Sequence, residues 1–374
     1  MLTEMHKTVD GKQRRLLLDD FDIPYRVKRA YKTKGEADWI GVQKEDTKPI
    51  LYLSGTPGAK GWTESRFWKN TGCRHRCFSY AYCGYSSPLI QKRYVEATAW
   101  CLHHGVRVFL DSGAHTFHRM KDRGSTLVRR VARHKQEQAA RSLMEEFFVN
   151  YARYVRLCYK EGMHFDFYVT FDAEKECAKI WEWTKRLSDE QNIWSVPVYH
   201  GDASINWVKR YIDEGHKLIG VGIQRIGKRS QTAIYRYYDA VFDLCEKHKV
   251  KCHGFAVTGD IMFAFPWYSV DSTTWVKLGG YGKIVGGWKT GRRRVGTIHV
   301  SNEYSVKTGY GHLDNLSPAA VEGVREEVAS CGYDLEELRR SGGLRSEYNA
   351  RAFVELVREH TKKPVQWERW LSVV

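Results

Sequence analysis

The chain has 374 residues, with 60 Lys and Arg against 44 Asp and Glu, a formal charge of +16 and a pI near 9.3. An apolar fraction of 42% excludes an intrinsically disordered chain, and no apolar run approaches the roughly 20 residues that a membrane helix needs. A positive excess of this size favours a polyanionic partner, most often nucleic acid, over a neutral small molecule alone.

The opening stretch from Met1 to Lys7 has no apolar h-region and predicts no secretory export. Nine scattered cysteines, an odd number, then read as reduced thiols of a cytoplasmic protein. Residues 1–48 are polar and basic, with Arg14, Arg15, Arg26, Lys28 and Arg29, and read as a basic N-terminal extension.

From Pro49 an alternation of short apolar strands and helical stretches begins. Pro49–Ser54 reads as a strand, Tyr94–His104 as helical and Val106–Leu110 as a strand. A long helix follows from about Lys135 to Lys160, with Leu143, Phe147, Tyr151, Tyr154 and Cys158 at helical spacing. Phe165–Phe171, Ser195–Tyr199, Leu218–Val221, Cys252–Ala256 and Trp267–Val270 read as further strands, and Arg294–Val300 as the last. Helices fill the gaps at Lys175–Leu187, Ser204–Glu214 and Ser230–His248. Alternation of this kind implies a parallel sheet, and about eight strands over about 250 residues is the size of a (β/α)8 TIM barrel. A doubly wound open sheet is the alternative, although no glycine-rich dinucleotide or phosphate loop follows a strand. The predicted organisation is a basic extension over 1–48, a barrel over 49–303 and a helical C-terminal extension over 304–374. In that last part Ser317-Pro318 reads as an N-cap with Pro at N1, and Asp334 as a second cap.

In a barrel the chemistry collects where strands end. Just past the apolar runs stand Asp111-Ser112-Gly113, Asp172, His200-Gly201-Asp202, Gly222 and Asp271-Ser272. A single strand-end Asp is commonly a turn former or helix cap. Three of them with His200 point to a carboxylate-driven site built from separate strands. Gly113, Gly201 and Gly222 let a flat ligand approach the backbone.

These motifs resemble the guanine transglycosylases. The resemblance is carried by Asp111-Ser112-Gly113, by Asp172, by the Gly220-Val221-Gly222 strand, and by His253-Gly254-Phe255 followed by Tyr268-Ser269-Val270-Asp271-Ser272-Thr273-Thr274-Trp275. It covers about residues 50–300 and is closest in style to the shorter phage-type branch that acts on DNA, which places the protein in a host cytoplasm. The resemblance implies exchange of guanine in DNA for a 7-deazaguanine such as preQ0 (7-cyano-7-deazaguanine). It implies that Asp271 is the nucleophile on the anomeric carbon, that Asp111 reads the base edge and assists proton transfer, and that Asp172 is a second base reader. Ser112, Gly113, Gly220 and Gly222 then border the base. His200-Gly201 falls where the family has a Gln-Gly pair. The chemistry is consistent with these roles. A carboxylate nucleophile splits base exchange into two displacements through a glycosyl-enzyme, and a carboxylate accepts the adjacent N–H donors of a guanine edge. In a duplex the target nucleotide must be flipped out, with Phe109, Phe117, Tyr199 and Trp275 available either to stack on it or to fill the core. A tRNA-guanine transglycosylase and a non-catalytic nucleic-acid-binding barrel are the alternatives.

The tRNA-acting members carry a zinc site of three Cys and one His after the nucleophile, whereas here only Cys331 follows Asp271. Cys73, His75, Cys77 and Cys83 make up the residue set of a Zn2+ site at a non-standard spacing, and otherwise read as thiols of a basic loop. Cys245, His248, Cys252 and His253 read as structural. Arg292, Arg293 and Arg294, with Lys289 and the basic run Arg119–Arg141, are candidates to track a phosphate backbone.

Overall fold

In the computed structural model the described residues are 49–57, 63–84, 88–114, 133–172, 176–201, 203–222, 231–258, 260–286, 296–303 and 311–360. The basic extension, Phe117, Asp202, Lys289 and Arg292 to Arg294 lie outside them, as do the side chains of the basic run around Arg119–Arg141.

Nine strand segments form the main sheet among the described residues: β1 (Ile50–Ser54), β2 (His75–Ser79), β3 (Arg107–Asp111), β4 (Tyr168–Val169), β5 (Ser195–Val196), β6 (Val198–His200), β7 (Leu218–Gly222), β8 (Lys251–Phe255) and β9 (Ser269–Ser272). Their order is β5-β4-β3-β2-β1-β9-β8-β7-β6. The two ends of that order are one strand. Pro197, which has no N–H to give a ladder, separates β5 from β6. Thr170 N donates to Val196 O at 2.9 Å on the β4 side, and Gly220 N donates to Pro197 O at 2.9 Å on the β7 side. With β5 and β6 counted as one, the nine segments amount to eight strands, and the fold is a (β/α)8 barrel of the TIM type. The central runs are buried on both faces, as parallel strands under helices must be. Every residue of β1 and β7 is buried, and Val108, Phe109 and Leu110 of β3 are fully so.

The chain divides into two compact units. The first runs from Arg76 to Cys252. It holds the helices α2 (Tyr80–Cys83), α3 (Pro88–His103), α4 (Arg133–Lys160), α5 (Cys177–Gln191), α6 (Asn206–Asp213) and α7 (Gln231–Lys247). The helical spacing foreseen for α4 is realised. Phe147, Tyr151, Tyr154 and Cys158 are fully buried, and Tyr80 of α2 meets the rings of Phe147, Tyr151 and Tyr154 at 5.1 to 5.3 Å.

The second unit comprises Glu45–His75 and the residues from His253 onward. It holds β1, α1 (Glu64–Thr71), α8 (Asp260–Ala264), β9, α9 (Thr274–Gly280), β10 (Lys283–Gly286), β11 (Gly296–His299), α10 (Pro318–Ser330), α11 (Leu335–Arg340) and α12 (Gly342–His360). The caps foreseen at Ser317 and Asp334 form. Ser317 Oγ accepts from Ala320 N, and Asp334 Oδ1 from Glu337 N at 2.9 Å. The C-terminal helices are integral to this unit. Arg345, 3% exposed, donates to Gly279 O at 2.9 Å and to Leu338 O at 2.7 Å. Buried Asn349 accepts from Val285 N at 2.7 Å and donates to Lys283 O at 3.0 Å. Gly279 is needed here, because a Cβ would stand 2.6 Å from Ser346 N.

Two strand expectations change. The expected last strand, Arg294–Val300, survives as β11, but it pairs antiparallel with β10 in a separate two-stranded sheet. Its place in the barrel is taken by β2, a stretch read as a metal-bearing or basic loop because His75 and Arg76 break the apolar pattern. Arg76 is 1% exposed, with its guanidinium 5.1 Å from the Phe78 ring. The expected strand Phe165–Phe171 shrinks to Tyr168–Val169.

Candidate functional site

Asp271 is a part-buried carboxylate of the second unit with a hydrogen bond to each oxygen. In the parallel register of β1 and β9 it stands opposite Tyr52, and Ser269 stands opposite His253 of β8. Ser269 and Asp271 share one face of β9, since side chains alternate along a strand. Ser54, at the end of β1, donates its hydroxyl to Asp271 Oδ2 at 2.6 Å. Ala256 N donates to Asp271 Oδ1 at 3.0 Å. His253 has no exposed surface, and its Nε2 lies 3.6 Å from the same Oδ1. Its Nδ1 meets Ser269 Oγ at 2.7 Å.

The backbone after β8 is shaped for this arrangement. Ala256 has φ +56, a left-handed conformation that a non-glycine residue adopts at a cost of about 1 kcal/mol. The turn is tight, because a Cβ on Gly254 would meet Val257 Cγ2 at 2.6 Å and the Trp267 ring at 2.9 Å. That bend delivers the Ala256 N–H to the carboxylate. Ser272 acts locally instead, with its Oγ accepting from Thr274 N at 2.9 Å at the start of α9. Trp275 is fully buried against Phe67 and donates to Ser54 O at 2.8 Å, so it belongs to the core beneath the site and is no stacking platform.

The first unit carries the other strand-end groups. Asp111, half-buried at the end of β3, accepts from Gly113 N at 2.9 Å, the bond of a turn-forming Asp. Gly113 has φ +80, and a Cβ there would stand 2.6 Å from Ala81 N, so the close approach foreseen at this glycine is real but is filled by protein backbone. Ser112 Oγ is buried without a hydrogen-bond partner among the described residues. Burial, and then the charge of Asp111, push the Tyr151 phenol well above its ordinary range, and that phenol donates to Val169 O at 2.7 Å.

Asp172 and His200 form a pair, Oδ1 to Nε2 at 2.7 Å, with 21% and 10% of their side chains exposed. Gly222 of β7 faces His200 in register, and Gly220 faces Val198. A Cβ on Gly222 would stand 2.8 Å from His200 Nδ1, so this glycine makes room for the imidazole. Gly220 is buried within the ladder, and Gly201 lies in the turn that follows β6. Phe109 stacks on Phe167 at 4.6 Å in the core, and Tyr199 donates to Ala203 O at 3.0 Å from a buried position.

The residues of the expected Zn2+ site are dispersed over different local environments. Cys73 Sγ donates to the His75 carbonyl at 3.1 Å, and the His75 ring meets Tyr52 edge-on at 5.3 Å. Cys83 lies at the end of α2 among Tyr154 and Thr98, where burial pushes its thiol up to about 12. Among the described residues no group of three or more His, Cys, Asp or Glu is placed to hold a metal ion. Cys245 and Cys252 interact with each other and are buried, as the structural reading of that group expected.

No protein-family model matches the chain, and no curated protein matches it. Among solved structures, a protein from Aquifex aeolicus VF5 is 13% identical with a TM-score of 0.38, over 65% of this chain and 90% of that one. GH26A from Muricauda sp. MAR_2010_75 is 11% identical with a TM-score of 0.38, over 63% of this chain and 86% of that one. The chemistry is therefore read from the residues of this chain.

Asp271 stands out in the sequence by its place at the end of an apolar run, whereas its companions are not among the expected site residues. Ser54 ends an apolar run as Asp271 does, and the same strand-end signal would have singled it out. His253 was read as a structural strand residue. It is buried in a strand, but the β8–β9 register aims it at the carboxylate. Among the described residues no helix is long and apolar enough to cross a membrane.

Proposed function

We propose that the chain is a base-exchanging glycosyltransferase in which Asp271 is the nucleophile. The observation that supports this reading is the cradle of Asp271. One oxygen is held by the Ser54 hydroxyl, and the other by the Ala256 N–H beside a sealed imidazole. A carboxylate oriented in this way, with 13% of its side chain still exposed, suits attack on an electrophilic carbon.

In the reaction, an Asp271 oxygen attacks the anomeric carbon, the C–N bond to guanine breaks with its electron pair, and the departing base takes a proton whose transfer Asp111 assists, as the resemblance implies. An incoming 7-deazaguanine gives up its ring N–H proton by the same route as its nitrogen displaces the carboxylate, which leaves with the electron pair of the ester bond. Two inversions give net retention at the sugar. The resemblance to guanine transglycosylases supplies guanine as the leaving base and DNA as its carrier, and the +16 charge is in keeping with a polyanionic substrate. Asp111 and Asp172 are the base readers that the resemblance implies. A carboxylate has about four acceptor sites, so Asp111 can take base N–H donors while keeping its Gly113 bond.

The test is incubation of the wild type and Asp271→Ala with guanine-containing duplex DNA, or with tRNA, and labelled preQ0. Label should enter DNA with the wild type alone. Equal incorporation by the variant would sink the mechanism. Incorporation into tRNA alone would make the protein a tRNA-guanine transglycosylase. Retention of DNA by a protein that incorporates nothing would leave a binding barrel.

A further inference from the structure

The two oxygens of Asp271 are held by different kinds of donor. Oδ2 takes one bond, from the Ser54 hydroxyl at 2.6 Å. A hydroxyl turns about its C–O bond and can leave an acceptor without any movement of the chain. Oδ1 faces the Ala256 N–H at 3.0 Å and His253 Nε2 at 3.6 Å. Neither of these can turn away. The N–H belongs to a left-handed backbone turn fixed by the packing around Gly254. The imidazole is fully buried, with its other nitrogen on Ser269 Oγ at 2.7 Å and its ring 4.6 Å from that of Phe255.

The tautomer follows from this environment. A carboxylate accepts only, so the nitrogen facing it is the one that carries hydrogen. Ser269 is itself fully buried, and its hydroxyl then donates to Nδ1. On this pattern the ring presents an Nε2 proton toward Oδ1.

We propose that His253 is a positioning residue which, with the Ala256 N–H, holds Oδ1 of Asp271 as the non-bridging oxygen of the glycosyl ester, so that Oδ2 is the attacking oxygen. This rests on the reading of Asp271 as a nucleophile. In the first displacement Oδ2 sheds the Ser54 hydroxyl and bonds the anomeric carbon, while the C–N bond breaks and its electron pair leaves with the base. Oδ1 becomes the ester carbonyl and keeps the Ala256 N–H bond and the 3.6 Å approach of His253 Nε2. In the second displacement the C–Oδ2 bond breaks, and the returning negative charge spreads onto Oδ1, where fixed donors in a water-poor site stabilise it. His253 therefore favours breakdown of the ester over its accumulation.

The test compares the wild type, His253→Phe and His253→Gln with guanine-containing DNA and preQ0. The amount of protein–DNA adduct at steady state, trapped by acid quench, is divided by the turnover rate. That quotient is the lifetime of the ester, and the fraction of folded protein cancels from it. In His253→Phe the lifetime should rise about tenfold or more, the size of effect expected for one donor to a developing charge. In His253→Gln, which keeps an N–H donor of similar reach, it should stay within about threefold of the wild type. An unchanged or shortened lifetime in His253→Phe overturns the proposal while the wild-type adduct leaves the mechanism standing. Absence of any wild-type adduct, with either DNA or tRNA, overturns both. A second measurement needs no turnover. Nitrogen-15 spectra of histidine-labelled protein should show His253 protonated at Nε2 and bare at Nδ1, and the opposite tautomer overturns the proposal by itself.

Discussion

Gly222 and His200 occupy the same space in turn: a Cβ at position 222 would stand 2.8 Å from Nδ1 and 2.9 Å from Cε1 of the imidazole. That imidazole is also the partner of Asp172 at 2.7 Å. Gly222→Ala should therefore push His200 off Asp172 and destabilise the fold by about 1–3 kcal/mol, as overpacking does. A urea midpoint measures the cost. Combining it with His200→Ala should recover most of the loss, because the clash disappears with the ring. Full additivity of the two substitutions would show that they do not share that space.

Asp271→Asn keeps the shape of the carboxylate and an oxygen that can accept from Ser54 or Ala256. Its unfolding free energy should stay within about 1 kcal/mol of the wild type. Base exchange should fall about a thousandfold or more, since an amide is no nucleophile at a sugar carbon. Paired denaturation and exchange assays read the two effects separately. Parallel loss of stability and activity would make Asp271 a structural residue.

Asn349 satisfies three backbone groups from one buried side chain, the Val285 N–H and the carbonyls of Trp275 and Lys283. Asn349→Leu removes all three bonds and should cost about 2–4 kcal/mol. The urea midpoint should drop accordingly, and a change under about 0.5 kcal/mol would mean that α12 does not depend on this anchor.

His216 is buried, with its ring 4.7 Å from that of Trp194. Burial lowers its pKa from 6.5 to about 4. The folded protein therefore holds this ring neutral where the unfolded chain would protonate it. The stabilisation is fully present above about pH 6.5 and is lost as pH falls toward 4, by an amount on the order of 3 kcal/mol. Denaturant midpoints between pH 7 and 4 should show a shallower acid loss in His216→Phe than in the wild type. Identical slopes would refute the assignment.

All nine cysteines are buried, and the Cys83 thiol is pushed up to about 12. A thiol reagent should label almost nothing in the native protein at pH 8 and nine groups after unfolding. Elemental analysis of the purified protein tests the zinc reading, and stoichiometric zinc that disappears in a Cys77→Ser variant would support it.

Much of the architecture is present in the local pattern. The continuous apolar runs of β1, β3 and β7 and the helical spacing of Phe147, Tyr151, Tyr154 and Cys158 are patterns that burial enforces position by position, and Asp111 and Asp271 close apolar runs. Asp271 could be found in that way because a carboxylate at the end of an apolar strand stands out without knowledge of its neighbours.

What tertiary structure alone decided involves pairs far apart in the chain. β2 hid because buried Arg76 and the half-buried His75 break its apolar run, and only its neighbours in the sheet make it a strand. Pro197 lies inside the expected strand Ser195–Tyr199, but only the structure shows that it joins two half-strands that bond to different partners. The link between Ser54 and Asp271 spans 217 positions, and that between His253 and Ser269 depends on parallel register. Register is set by how whole strands pack, and a shift of one residue would turn every side chain to the opposite face. The sequence by itself therefore determined the strand–helix alternation and the presence of a strand-end carboxylate at 271. Which hydroxyl, N–H and imidazole hold that carboxylate was decided only when β1, β8 and β9 came together.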